Sequence, residues 1–394
     1  MRILFCNYEY PPLGGGGGVV NAALAEEMAR RHEVTVLTSR ALGLPADSVE
    51  GGVRVVRAPV FFRRRLTAAN FASMFAYLVS GTLRGRRLVR EAAFDVVNTH
   101  FALPSGPVGH AVARAAGIPN VLSVHGGDLY DPSKSSSAHR HAVLRAAVRY
   151  LALNADAVVA QSKDTEANLH RYFAPEVAAS VIPLGIAKPP AVSASREKYG
   201  FRKEDVLLVS VGRLVRRKCV DQLLEVLARL PDERVKLAIL GSGPLVTQLR
   251  DRARSLKLAT RVRFMGLVTE AAKFELLSMS DLYVSTSQHE GFGLVFLEAM
   301  TAGLPIVCYD RGGHADFLAD GETGHLVPLN DRDAFLARCK ELVSQPERRA
   351  AIGGVNRERA KAFFIDRCAA RYEELFDSLV VDGRVGARAV WNYR

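Results

Sequence analysis

Short apolar runs, each closed by a turn and followed by a helical pattern, recur along the whole chain. They lie at Arg2–Asn7, Glu33–Thr38, Val53–Arg57, Asp95–Thr99, Asn120–Val124, Ala157–Ala160 and Ala179–Ile182. Helical patterns such as Val19–Arg31 and Ser105–Ala116 fall between them. Runs this short, without polar alternation, suit strands buried on both faces of a parallel sheet. Near Ala187–Ser195 the alternation lapses into Lys188-Pro189-Pro190-Ala191-Val192-Ser193, a linker composition. It then restarts at Val206–Val211, Lys236–Leu240, Arg261–Phe264, Leu282–Thr286 and Ile306–Tyr309. A chain of 394 residues has room for two cores. The reading is α/β: two doubly wound, Rossmann-like domains, 1–187 and 196–362, with a cleft between them.

Bulk properties narrow the function classes. The net charge of +12 fits an anionic substrate, an anionic membrane surface or nucleic acid. Cys6, Cys219, Cys308, Cys339 and Cys368 are scattered and lack metal-ligand spacing, which predicts reduced, buried thiols in a cytoplasmic protein. Met1 runs straight into a strand without a signal-peptide pattern. Leu66–Leu83 carries no charge but is too polar to span a membrane, and reads as a helix that is buried or interfacial.

The most informative stretch is Asp281–Gly303, DLYVSTSQHEGFGLVFLEAMTAG. A strand, a glycine-containing turn and a helix beginning near Phe292-Gly293-Leu294 form a ligand site in an open α/β sheet. Free N–H groups in the helix's first turn favour an anion. Glu290 and Glu298 would repel that anion, yet each can accept hydrogen bonds from hydroxyls. A nucleotide sugar, with hydroxyls on both sides of a diphosphate, satisfies both demands.

Glu290, seven intervening residues and Glu298, flanked by EGFGL and LEAM-x-AG, resemble the signature of the retaining, nucleotide-sugar-dependent group 1 glycosyltransferases. The resemblance covers nearly the whole chain and implies a metal-independent hexosyltransferase with a B-type glycosyltransferase fold and no cofactor beyond the donor. It implies that Glu290 lies against the donor sugar and Glu298 holds the ribose. Gly17 and Gly18, in the run Gly14–Gly18, match glycines that precede the first helix and meet the donor phosphates across the cleft. His125, in His125-Gly126-Gly127-Asp128, matches a histidine near the reacting centre, pointing into that cleft, while Asp128 suits a cap or turn role equally. Arg213 and Lys218 match the phosphate-binding cations, whose charge offsets the departing diphosphate. Cys219 departs from the pattern, since a glycine usually follows the lysine; Arg216 and Arg217 read as solvated. Val268, in Gly266-Leu267-Val268, resembles the contact with the base, and Asp316 stands where a glutamate is usual. The last helix, about Phe363 to Leu379 in the segment 363–394, is implied to cross back to the first domain. Gly241-Ser242-Gly243-Pro244 and Gly312-Gly313 read as turns.

Gly51 to Arg90 contains no acidic residue but has Arg54, Arg57, Arg63, Arg64, Arg65, Arg84, Arg86, Arg87 and Arg90, with Phe61, Phe62, Phe71, Met74, Phe75, Tyr77 and Leu78 among them. This suits peripheral attachment to an anionic inner leaflet, or else a solvated face over a core helix. The acceptor is then a lipid-linked or saccharide hydroxyl in polysaccharide or glycolipid assembly, with a soluble small acceptor as the alternative; no nucleic-acid partner is expected. A nicotinamide-dependent oxidoreductase is the distant rival. Against it, Val19 stands where the fingerprint's third glycine belongs, and no acid follows the second strand.

Overall fold

The computed structural model describes residues 1–61, 63, 70–193 and 195–383. Expectations placed on Phe62, Arg64, Arg65, residues 66–69 and the chain from 384 onward lie outside them. The chain divides into two compact units, Met1–Ala187 with the segment from Phe364, and Lys188–Phe363.

Among the described residues the first unit holds β1 (Arg2–Asn7), β2 (Glu33–Arg40), β3 (Asp47–Glu50), β4 (Val53–Pro59), β5 (Val96–His100), β6 (Asn120–Val124), β7 (Ala157–Ala160) and β8 (Ala179–Val181). They lie in the order β3-β4-β2-β1-β5-β6-β7-β8, with only β3 antiparallel. Successive side chains of a strand face opposite sides of its sheet, and here both sides are covered. Ile3 and Phe5 pack with Leu24 and Met28 of helix Gly16–Ala29 and with Tyr372 and Phe376 of helix Ile365–Gly383. Leu4 and Cys6 pack with Tyr77 and Leu88 of helix Phe71–Glu91 and with Val108 and Val112 of helix Ser105–Ala116. The last helix therefore belongs to the first unit's core.

The second unit holds β9 (Val206–Val211), β10 (Val235–Leu240), β11 (Val262–Gly266), β12 (Leu282–Ser285), β13 (Ile306–Tyr309) and β14 (Gly324–Val327). They form a parallel sheet in the order β11-β10-β9-β12-β13-β14. Each sheet winds outward in both directions from one switch point, between β1 and β5 in the first and between β9 and β12 in the second. Ligands collect at the carboxyl ends of the strands at such points.

Two strands escaped the sequence reading. β3 is polar and pairs at an edge, so it carries no apolar run. β14 opens with Gly324 and His325, a composition that does not read as a strand, although it is largely buried.

Close packing of helix Ser105–Ala116 on β5 depends on Gly109, whose added Cβ would lie 1.8 Å from the Thr99 hydroxyl oxygen. Gly109→Ala is expected to destabilise the chain by about 1–3 kcal/mol, the range for overpacking. The measurement is the urea midpoint at unchanged slope; an unaltered midpoint would contradict this packing.

Candidate functional site

In the second unit the exits of β9 and β12 meet at the switch point. The chain leaving β9 passes Gly212-Arg213-Leu214 beside the turn after β10, where the Leu214 N–H donates to Ser242 O at 3.0 Å. Only glycine fits at 241, since a Cβ there would lie 2.0 Å from Gly212 O. Arg213 is exposed. Arg216–Lys218 forms a single 3-10 turn, and Cys219 turns the chain into helix Val220–Ala228. Cys219 has φ 42° and ψ 43°, the left-handed conformation that glycine adopts without strain. Its departure from the family pattern is thus accommodated at a cost in backbone strain.

The exit of β12 is tied to this turn. Thr286 Oγ1 donates to Cys219 O at 2.8 Å, and the Gln288 N–H donates to Arg217 O at 2.8 Å. Glu290 follows, buried, with its carboxylate held by Lys218 Nζ and, at 3.3 Å, by Arg217 Nη1. Arg217 also donates to His289 O. Arg217 is therefore not solvated as its sequence context suggested, because its guanidinium closes over Glu290; Arg216 is exposed as expected. Burial pushes the Glu290 pKa up, but Lys218 and Arg217 outweigh it and hold the carboxyl down at about 2.

Beyond Glu290, the Gly313 N–H donates to Glu290 O at 2.8 Å, and a Cβ on Gly312 would lie 2.2 Å from that oxygen. The Gly312-Gly313 turn therefore supports Glu290, and Asp316 lies half-buried in the same turn. The Phe292 ring is buried against Phe317 and Phe363, so only its backbone is available to a ligand. Gly293, at φ 96°, precedes helix Leu294–Thr301, which has no side-chain cap; the Phe296 N–H of its first turn donates to Gly293 O at 2.9 Å.

Glu298 sits on that helix with Oε1 2.8 Å from Lys273 Nζ, while Oε2 is buried without a partner. Burial raises its pKa and Lys273 opposes the rise. Lys273 comes from helix Glu270–Ser278, just after half-buried Val268. The buried Tyr283 phenol is pushed up first by burial and then by the charges of Glu290 and Glu298.

In the first unit, the helix after β1 begins at Gly16 and not at Val19. Gly17 and Gly18 are therefore first-turn residues, not residues of a preceding loop. A Cβ on Gly17 would lie 2.6 Å from the Phe101 ring. The Gly15 N–H is taken by the Glu9 carboxylate at 3.2 Å. His125 follows β6 and its imidazole is buried. It is 7% exposed, with Nε2 2.9 Å from His100 Nδ1 and its ring 4.3 Å from that of Phe101. Burial pulls its pKa down to about 4, partly opposed by the Gln161 side chain. Asp128 serves the turn, accepting from the Ala102 N–H at 2.6 Å and the His125 N–H at 3.0 Å.

The basic segment is partly neutralised inside the first unit. Arg57 pairs with Glu50, Arg84 and Arg54 with Asp47, and Arg87 with Glu91. Buried Arg63 donates to Ser39 Oγ at 2.7 Å and lies over the Tyr8 ring. The acids lie just outside the acid-free stretch, and their pairing is tertiary. Helix Phe71–Glu91 buries Tyr77 and Leu88 and leaves Phe71, Phe75, Val79 and Leu83 exposed in one row, with exposed Arg86 and Arg90 farther along.

Sequence reasoning missed Arg217 and Lys273. Nothing in their local sequence marks them; only the demand of a buried carboxylate for a cation could have directed the search.

Two Rossmann-like sheets, the second with cations, carboxylates and a helix N-terminus near its switch point, make this corner the candidate ligand site. Residues 192–359 match the family described as glycosyl transferases group 1, and residues 14–187 match glycosyltransferase family 4. A glycogen synthase of Mycobacterium tuberculosis is 30% identical over 366 residues, covering 88% of this chain and 87% of that protein. A GDP-mannose-dependent alpha-(1-6)-phosphatidylinositol monomannoside mannosyltransferase of Mycolicibacterium smegmatis is 29% identical over 378 residues, covering 91% of this chain and 93% of that one. Sucrose-phosphate synthase from Thermosynechococcus elongatus shares the fold, with a TM-score of 0.85 at 23% identity over 97% and 99% of the two chains. The chain belongs to the group 1 glycosyltransferases.

Because Glu290 is held below its ordinary carboxyl value of 4.5, its ion pairs stabilise the fold above that value and are lost as pH falls toward 2. Wild type should exceed Glu290→Gln in unfolding free energy at neutral pH, and the gap should narrow over that acid window. Denaturant titrations of both proteins at stepped pH check this; a gap that widens on acidification would contradict the pairing.

Proposed function

We propose that this glycosyltransferase is a retaining, nucleotide-sugar-dependent hexosyltransferase that needs neither metal nor cofactor. The observation that carries the reading is the buried Glu290 held by Lys218 and Arg217 at the switch point. The glycosidic bond to the diphosphate breaks and its oxygen takes the electron pair. An acceptor hydroxyl oxygen bonds to the anomeric carbon, and its proton passes to the departing diphosphate oxygen. Arg213, Lys218 and the first-turn N–H groups of helix Leu294–Thr301 offset the charge that develops on the diphosphate. A diphosphate competes with Glu290 for Lys218, which leaves the Glu290 carboxylate to accept hydroxyls of the sugar. The unpartnered Glu298 Oε2 accepts a ribose hydroxyl, Val268 flanks the base, and Gly17, Gly18 and His125 serve the donor from the first unit. Retention and the assignment of single residues rest on resemblance to the family.

The donor is tested by a thermal-shift screen of nucleoside diphosphates and nucleotide sugars, followed by turnover with the hit. Arg213→Ala or Lys218→Ala should each lower turnover by roughly 10²-fold or more. Activity should survive EDTA. Glu298→Ala should weaken the bare nucleoside diphosphate while Glu290→Ala largely spares it. Strict dependence on Mg²⁺ or Mn²⁺, or equal nucleotide loss in both variants, would sink the reading.

The acceptor proposed is a lipid-linked or saccharide hydroxyl, in glycolipid or polysaccharide assembly at the cytoplasmic leaflet. The mannosyltransferase relative is named for a phosphatidylinositol mannoside and another relative for glycogen. No helix among the described residues is long and apolar enough to cross a membrane. The exposed row Phe71, Phe75, Val79 and Leu83 with Arg86 and Arg90 supports peripheral attachment. Each arginine near an anionic surface contributes about 1 kcal/mol, screened over roughly 8 Å at physiological salt. The chain should cosediment with anionic vesicles at low salt and be released at high salt. A variant with Phe71, Phe75, Arg86 and Arg90 changed to Ser should stay in the supernatant. Absence of the wild type from anionic vesicles at low salt would favour a soluble acceptor.

A further inference from the structure

β5 and β6 are neighbours in the first sheet, and each ends in a residue pair that turns toward the other. His100 lies opposite Ser123 in the ladder, and Phe101 and His125 come just beyond the two strand ends. His100 is fully buried, stacked flat on Phe5 with centroids 5.4 Å apart at 9°. Its Nδ1 is 2.9 Å from His125 Nε2, a line that holds one proton.

Two proton arrangements are open to this pair, because burial keeps both rings neutral at pH 7 by lowering their proton affinity. In one, His125 donates from Nε2, and His100 carries its own proton on Nε2, a buried atom without a partner. In the other, His100 donates from Nδ1, and its unpaired Nε2 is only a lone pair. His125 then carries its proton on Nδ1, which, like Gln161 Oε1, is buried with no hydrogen-bond partner. Each arrangement leaves one buried ring N–H unpaired, and in each the two rings are protonated on the same nitrogen, so the tautomer of one sets that of the other.

Phe101 supplies an independent sign. It holds φ 72°, a left-handed conformation that is strained for a bulky side chain. Such strain persists only where the surroundings enforce it, and it gathers at functional sites. Here the Phe101 N–H donates to Ser123 O at 2.9 Å, and its ring is wedged between the His125 ring and the space a Gly17 Cβ would fill.

We propose that His100 and Phe101 are positioning residues that fix the His125 ring in one orientation and tie its tautomer to that of His100. This rests on the reading of His125 as a residue that serves the transferred sugar. A displaced sugar-facing residue lowers turnover more than donor binding, since alignment acts in the transition state.

The test compares wild type with His100→Leu, His100→Asn and Phe101→Leu. Nitrogen-15 spectra of the imidazoles, with the His125 signals assigned by their loss in His125→Asn, give the tautomer without any turnover. Wild type should show both rings protonated on the same nitrogen, Nδ1 of each or Nε2 of each. His100→Leu should mix or reverse the tautomer and lower kcat by about ten-fold or more, with donor KM changed less than about three-fold. His100→Asn, whose amide can stand in for Nδ1, should restore most of both. Phe101→Leu should lower kcat with the tautomer kept. The proposal is overturned if the two wild-type rings carry their protons on different nitrogens, if His100→Leu changes neither tautomer nor kcat, or if Asn rescues no better than Leu. If no donor supports transfer, the functional reading and the positioning role fall together, and the spectra alone decide the tautomer.

Discussion

Burying a carboxylate beside a ligand site is tolerable only when cations close on it, because an unpaired buried charge costs several kcal/mol. Glu290 meets that condition through Lys218 and Arg217. The pairing exists only because β9 and β12 lie side by side, so that residues more than seventy positions apart share one strand-exit corner. The hydrogen bonds from Thr286 and Gln288 to the β9 exit, and from Gly313 to Glu290, lock that corner from three directions. Glycines 241 and 312 let backbone approach backbone where any side chain would collide. The same ion pairs serve stability and set the terms for a ligand. Under the proposed function, an incoming oxyanion would draw Lys218 from Glu290 and so leave the carboxylate ready for hydroxyls.

Most of the strand order's raw material is legible in the sequence because double-sided burial writes a continuous apolar run. Strands such as Arg2–Asn7, Asn120–Val124, Val206–Val211 and Ile306–Tyr309 have the same bounds in sequence and structure. The misses have physical causes. β3 pairs through its backbone at an edge and has no need of apolar side chains, and β14 is short and opens with Gly-His. The first helix starts three residues before Val19, with Gly17 fitted under the Phe101 ring, a tertiary fact that propensity cannot contain. Within the candidate site, Glu290, Glu298, Arg213 and Lys218 are visible through motif spacing. Arg217 and Lys273 are visible only once the fold brings them to a carboxylate. The arginines of the basic segment make the same point in reverse: Arg57 and Arg63 look solvated in sequence and are buried in the fold.

The two carboxylates of the second unit reach opposite electrostatic outcomes from similar burial. Glu290 faces two cations and is driven well below its ordinary range, whereas Glu298 faces Lys273 alone, which Glu270 also engages, and is shifted up. A strongly ionised Glu290 suits a group that must stay an acceptor beside a polarised sugar. A less firmly ionised Glu298, with one oxygen unpartnered, gains most from a ligand that brings hydroxyl donors. The difference in cation count thus gives different electrostatics to two residues that the sequence presents as equals, and under the proposed function it suits them to different parts of the ligand.

The first unit solves a different problem, because its functional candidate is neutral. With no charge on His125 to anchor, orientation has to come from shape and from a shared proton. His100 supplies the proton partner and Phe101 the wall, and both follow directly from the end of β5. Tyr372, from the returning helix Ile365–Gly383, donates to Ser123 Oγ at 3.0 Å and lies 6.1 Å from His100, which places the chain's last described helix behind the histidine pair. Loss of that helix would therefore loosen the support of His125 as well as the core around Phe5. This gives the C-terminal segment a role that its sequence, an ordinary amphipathic helix, does not announce.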